Sequence, residues 1–307
     1  MNKIILQLAL VIFISSIFSF AAQAAEKYKP FILASNSSGD LTKKIATTKS
    51  ALVKAGFEIA GEYSPYKGAH IIVVTNDLLK KAAASHPRAG YIVAQRVALT
   101  SLDGKIQVSY TNPVYMGAAY QVKTDLGAVN KQLSKALGNK QMFGPAKGLT
   151  LKEAGKYHYM FGMEYFTDPT PLAEHPNKKI ANKIVEENLA ARKGGAFKVY
   201  RIDIPGTKQT LFGVGLKAPK GKANSPMDDK FIMNEIDFKP LRSTAHLPYE
   251  LLVKGGKVEA LHARFRIAIN FPDLSMMGAN SFVNIMATPD AIFETLTDVA
   301  GGSYEDY

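Results

Sequence analysis

The chain runs through the same string of elements twice, and this constrains its fold more than any other feature of the 307 residues. Ala-Gly-Phe at 55–57 ends a helical pattern and opens a strand pattern, and Gly-Ala-Phe at 195–197 does the same. Asp-Gly-Lys at 103–105 and Gly-Gly-Lys at 255–257 each turn a hairpin; Asp-Gly between alternating apolar runs is a strong short-range hairpin signal. Met-Gly-Ala at 116–118 and at 277–279 each follow a proline and precede a last helix. The spacing between matches widens along the chain. The second copy therefore carries insertions, one of them the Lys-, Gly- and Pro-rich loop 217–226.

In the first half the periodicity predicts a strand over 28–34, a helix over 40–55 with Asp40 as N-cap and Gly56 as stop, and strands over 57–63 and 70–75. A short helix over 77–85 follows Asn76, then a hairpin of 91–99 and 105–110, then a helix over 125–137. In the second half it predicts a strand over 157–166, a helix over 177–193, strands over 197–204 and 209–216, and a helix over 228–238. A hairpin of 249–253 and 257–269 and a helix over 289–299 complete it. This is not the strict alternation of a doubly wound sheet. It predicts an α+β fold of two duplicated domains, 25–150 and 151–307. Each is an antiparallel or mixed sheet with helices on one face, and the two pack as an internal pseudo-dimer. A monomer of this kind, or a homodimer of it, is the expected assembly.

Residues 1–24 stand outside that pattern. Met1-Asn2-Lys3 is a short positive start, 4–20 is an apolar run, and Ala22-Gln23-Ala24 fits a small-x-small cleavage site. These are the marks of a signal peptide cut after Ala24, and they predict a soluble periplasmic protein. No later run approaches the length of a membrane span. The chain has no Cys, which excludes disulfides, thiolate catalysis and Cys-held zinc or iron–sulfur clusters. Neither a cofactor nor a metal is expected, because Met and His lack the repeated spacing of copper sites and no haem motif pairs them. The 38 Lys and Arg outnumber the 26 Asp and Glu. In a periplasm that excess meets no nucleic acid. It reads as a solvated surface, or as weak attraction to an anionic one.

Ala-Gly-Phe-Glu-Ile at 55–59, Pro-Arg-Ala-Gly-Tyr at 87–91, Arg96-Val97 and Thr-Asn-Pro at 111–113 resemble a bacterial family known as domain of unknown function 302. Leu-Pro-Tyr-Glu-Leu-Leu at 247–252 and the stretch 265–278 carry the resemblance into the second half. The resemblance implies a small α+β domain that dimerises through its sheet. It implies no activity and no catalytic residue. A tandem copy would make that dimer within one chain.

Read as a strand, 261–269 puts Leu261, Ala263, Phe265, Ile267 and Ile269 on one face and His262, Arg264 and Arg266 on the other. A two-residue turn at Gly255-Gly256 sets Tyr249 opposite His262. Guanidinium forks beside an imidazole and a phenol suit a carboxylate or phosphate. The alternatives are a solvated face, or a structural ion pair with Glu250 or an acid of the other copy. The strand over 157–166, apolar on both faces, is expected to be buried between the copies, with Tyr159 and Met160 lining a cleft there. The expected ligand-binding set is thus Tyr249, His262, Arg264, Arg266, Tyr159 and Met160, and the expected ligand a small anion or amphipath. No nucleophile elbow or phosphate-binding loop is present. The function read from this is a non-enzymatic binding or accessory module with its site at the junction. One alternative is an enzyme using His262, Arg264 and Tyr249 on an anionic substrate. Another is a structural subunit of an envelope complex.

Overall fold

The computed structural model describes residues 25–219, 221–222 and 225–303. The expected leader, 1–24, lies outside the described residues. The first half comprises β1 (Phe31–Ser38), α1 (Leu41–Lys54), β2 (Glu58–Tyr63), β3 (Ala69–Thr75), α2 (Asp77–Ala84), β4 (Gln95–Leu102), β5 (Lys105–Thr111), α3 (Pro113–Ala119), α4 (Gly127–Leu137) and β6 (Gln141–Phe143). The short α5 (Leu151–Ala154) leads into a connecting segment, 155–169. The second half comprises β7 (Thr170–Glu174), α6 (Lys178–Ala190), β8 (Ala196–Asp203), β9 (Gln209–Leu216), α7 (Asp229–Ile236), β10 (Tyr249–Lys254), β11 (Lys257–Ala260), α8 (Ala263–Asn270) and α9 (Thr288–Ala300). Single 3-10 turns, Ala89–Val93 and Thr244–His246, stand just before β4 and β10.

Local chemistry sets the ends of these elements. Asp40, Asn76 and Asn177 each accept a backbone N–H three residues on, at 2.8, 2.9 and 3.0 Å, and so cap α1, α2 and α6. Asp103 and Gly104 both take positive φ, 50° and 72°, which the tight β4–β5 turn demands.

The strands form one antiparallel sheet in the order β6-β1-β5-β4-β3-β2-β8-β9-β10-β11-β7. Apart from β6, the order within one half is the mirror of the order within the other. The halves join through a single pair, Gly61 on β2 with Tyr200 on β8. A Cβ at Gly61 would lie 2.1 Å from the Val199 carbonyl oxygen, so only glycine lets the strands approach. Both joining strands shift register there, between Ile59 and Gly61 and between Lys198 and Tyr200. Bulges bend and overtwist a sheet. The bend turns one face of each half toward the other. The turn at 89–93 packs on β9 and β10, and the turn at 244–246 packs on β3, β4 and β5. Such reciprocity is the pattern of an isologous interface. Strands β3, β4, β9 and β10 are accordingly buried almost throughout. Helices α1 and α4 pack together over the first half, and α6 and α9 over the second.

Four expectations are corrected. Residues 157–166 form no strand: Met163 N donates to Met160 O at 3.0 Å and Gly162 sits at φ 83°, so the backbone turns instead of extending. Residues 261–269 leave the sheet after Ala260 and become α8, with His262 as N-cap accepting from Arg264 N at 3.2 Å. Their apolar residues fall on every side of the helix, and such a helix is buried. Residues 91–93 belong to a 3-10 turn, and β4 begins only at Gln95. Met116–Ala118 lies inside α3, whereas Met277–Ala279 lies beyond α8, the helix that stands in the matching place. That tripeptide match is coincidental. The other two fall at corresponding turns. Among the described residues, no helix is long and apolar enough to cross a membrane.

Candidate functional site

Helix α8 sends its cations to two different places. Arg266 and Asn270, one turn apart, face inward. The Arg266 guanidinium donates from Nη1 to Glu250 Oε2 at 3.2 Å and to the Pro248 carbonyl at 3.0 Å, and from Nη2 to the His246 carbonyl at 2.6 Å. The Tyr249 ring lies 5.0 Å from its central carbon. Glu250, on β10, accepts from Arg96 Nη1 at 2.9 Å and from the Tyr200 hydroxyl at 2.6 Å. Arg96, on β4, also donates from Nε to the Ala245 carbonyl at 3.0 Å. Arg96, Glu250 and Arg266 are 1–2% exposed. Two guanidiniums and one carboxylate thus pin β4 of the first half to β10 and α8 of the second. His246 completes the group, with Nδ1 2.9 Å from Asn270 Nδ2 and Nε2 3.3 Å from the Tyr249 hydroxyl. Burial, then the Arg266 and Arg96 charges, push this imidazole well below its usual range, so it is neutral.

Arg264 faces the other way. Its Nε and Nη2 hold the two oxygens of Glu164 at 3.1 and 2.5 Å, and His262 Nε2 lies 3.4 Å from Glu164 Oε1. Burial lowers the His262 pKa, Glu164 and Asp290 oppose the shift, and Arg264 adds to it. Glu164 belongs to the connecting segment. Beneath this pair runs an apolar crevice lined by Tyr159, Met163, Arg264, Ile267, Ala268, Phe271, Leu274 and Phe282. It is narrow, with free room for about one water molecule. Tyr159 anchors its rim through a 3.2 Å hydrogen bond to the Leu274 carbonyl. Exposed apolar residues flank the lining in sequence: Met160, Phe161 and Tyr165 on one side, Met277, Val283 and Met286 on the other.

The six residues singled out from sequence therefore divide. Tyr249 and Arg266 meet at the buried junction. His262 and Arg264 meet through Glu164, and Tyr159 shares the crevice with Arg264. Met160 is exposed and is not among the residues that line the crevice. Tyr249 does not stand opposite His262: the β10–β11 ladder stops at Leu252 with Glu259, and Tyr249 pairs with Val214 on β9. Residues 157–166 lie at the surface beside α8, apart from buried Phe166, and not as a strand between the halves. Arg96, Tyr200, His246 and Glu164 were not foreseen. Arg96 carries a readable signal, a cation among the apolar residues of a predicted hairpin strand. Glu164 carries none.

Exposure decides what each arginine contributes. The Arg264 side chain is 37% exposed, so Arg264→Ala is expected to cost about 1 kcal/mol or less, the range of solvated ion pairs. Urea unfolding measures this. A loss of roughly 3 kcal/mol would show that the pair behaves as a buried one.

Among the described residues, no group of three or more His, Asp or Glu is placed to hold a metal ion. No family model matches the chain, and no curated protein or solved structure matches it.

Proposed function

We propose that this chain is a non-enzymatic binding protein exported to the periplasm. Its ligand site is the crevice where the connecting segment crosses α8. The ligand is a small amphipathic anion. One observation carries this reading: a half-exposed guanidinium stands at the mouth of an otherwise apolar crevice. The Met163, Phe271 and Phe282 side chains that line it suit an adaptable binding surface. The buried junction supports a different role. Its charged groups, Arg96, Glu250 and Arg266, are engaged with one another, and that arrangement holds the halves together.

We further infer that the two halves descend from one duplicated domain, supported by their equal strand order and reciprocal packing. The resemblance to domain of unknown function 302 adds no activity. One contact favours the enzyme alternative, His262 beside Glu164. The third group it needs, Tyr249, is engaged with Arg266 and His246 instead.

Native mass spectrometry of the protein purified from its own periplasm tests the proposal. The expected result is a chain beginning at Ala25 that carries a small organic anion, with the adduct absent from Arg264→Ala. Retention of residues 1–24 would remove the compartment. An adduct equally abundant in Arg264→Ala would remove the site.

A further inference from the structure

Glu164 holds Arg264 by both oxygens, the fork-on-fork geometry by which arginine recognises a carboxylate. The two partners on the helix are fixed: His262 caps α8 and Arg264 lies in its first turn. Their carboxylate is differently supported. It arrives on a segment without a strand ladder, anchored by Phe166, whose ring stacks on Tyr120 at 5.3 Å. Between Tyr157 and Tyr165 the segment is held mainly by the Tyr159 hydroxyl and by Glu164 itself. Below the ion pair the lining is apolar, and the free space is too small for a ligand until the segment moves.

These observations belong together if the segment fills the site from within. We propose that Glu164 occupies a carboxylate subsite, and that the ligand is a medium-chain monocarboxylate. Its head replaces Glu164 on Arg264 and its unbranched tail enters between Ile267, Phe271 and Phe282. This rests on the crevice being the ligand site. The exchange trades one guanidinium–carboxylate pair for another, so the anion's gain is small while Glu164 competes. Breaking the Glu164 pair releases the segment, and the tail then takes the space that Tyr159 and Met163 vacate. Removing the internal competitor should therefore tighten binding, and removing the guanidinium should erase the preference for an anion.

Isothermal titration of the mature chain with decanoate, decanol and acetate tests this, using wild type, Glu164→Gln and Arg264→Gln. Both positions are partly exposed, and thermal unfolding checks that each variant is folded. The expected result is decanoate binding about tenfold tighter to Glu164→Gln than to wild type, the effect of deleting a competing state. Arg264→Gln should bind decanoate no better than decanol, and acetate should bind far more weakly than decanoate to every variant. Decanoate affinity unchanged by Glu164→Gln would overturn the subsite while leaving the crevice reading intact, provided decanol and decanoate both bind. Failure of all three probes on all three proteins would overturn the crevice reading as well.

Discussion

Replacing Glu250 by Gln is expected to bring this protein close to unfolding. The wild-type carboxylate accepts from Arg96, Arg266 and Tyr200. An amide of the same shape leaves two guanidiniums, 1–2% exposed, with no counter-charge. Breaking a buried ion pair by deleting one partner costs about 3–5 kcal/mol, and here one deletion removes the partner of two cations. The whole stability of a domain is only about 5–15 kcal/mol. Urea unfolding of wild type and Glu250→Gln should show a large fall in midpoint. Replacing all three members by apolar residues, as in Arg96→Met, Glu250→Leu and Arg266→Met together, is expected to recover much of the loss, because no buried charge remains. A single variant within about 1 kcal/mol of wild type would mean that water or an external anion reaches the guanidiniums, and the junction would then be a site and not a clamp.

The same residues show why the sheet was legible and the site was not. Turn and cap chemistry is local, so Asp40, Asn76, Asn177 and the Asp103-Gly104 turn declared their elements from sequence. Which strands pair across halves is not local. It rests on Gly61 facing Tyr200 and on two bulges, and neither leaves a periodic trace. Arg96 and Glu250 sit on strands separated in the sheet by β3, β2, β8 and β9, and they touch only because the sheet folds over. Glu250 was weighed as the partner of the cationic stretch, and it is the partner of Arg266.

The stretch 261–269 misled for a definite reason. Its residues alternate from Leu261 to Ile267, but Leu261, Phe265 and Ile269 are also spaced at i and i+4, and Arg266 with Asn270 repeats that spacing. A run that satisfies both periods is settled by what it packs against. Here the ladders on both sides of β11 end by Ala260, which pairs with Thr170 at the start of β7, and the chain beyond is free to coil under the junction. The change of period decides the candidate site. In a strand His262 and the two arginines would share one face. In α8 two successive arginines face opposite ways, one into the clamp and one to the crevice mouth.

Stability is expected to fall between pH 6.5 and about 8, and Asp229 is the main cause. This aspartate is 1% exposed at the start of α7 and accepts from the Tyr63 hydroxyl at 3.0 Å and from Leu216 N at 3.2 Å. Burial raises its pKa to about 8, against the opposing pull of those two hydrogen bonds. Asp237, equally enclosed, is raised by burial to about 7. The unfolded chain loses these protons near pH 4, while the folded chain keeps them. Between those limits the folded state binds more protons, so stability declines as pH rises through the folded pKa. His246 works in the opposite sense: its folded pKa is depressed, so it destabilises the fold only below its ordinary 6.5. Above 6.5 the opposing contribution of His246 and of His262, also depressed by burial, fades and the carboxyl effect dominates; the shift of Asp229 across this window corresponds to roughly 2 kcal/mol. Unfolding free energies measured at pH 6.5 and 8.5 should differ by about that amount in wild type. Asp229→Asn keeps an oxygen for Tyr63 and Leu216 but has no proton to lose, so its difference should shrink to less than half. Equal pH dependence in the two proteins would show that Asp229 is ionised in the folded state throughout, with a counter-charge or water beside it that this packing does not provide.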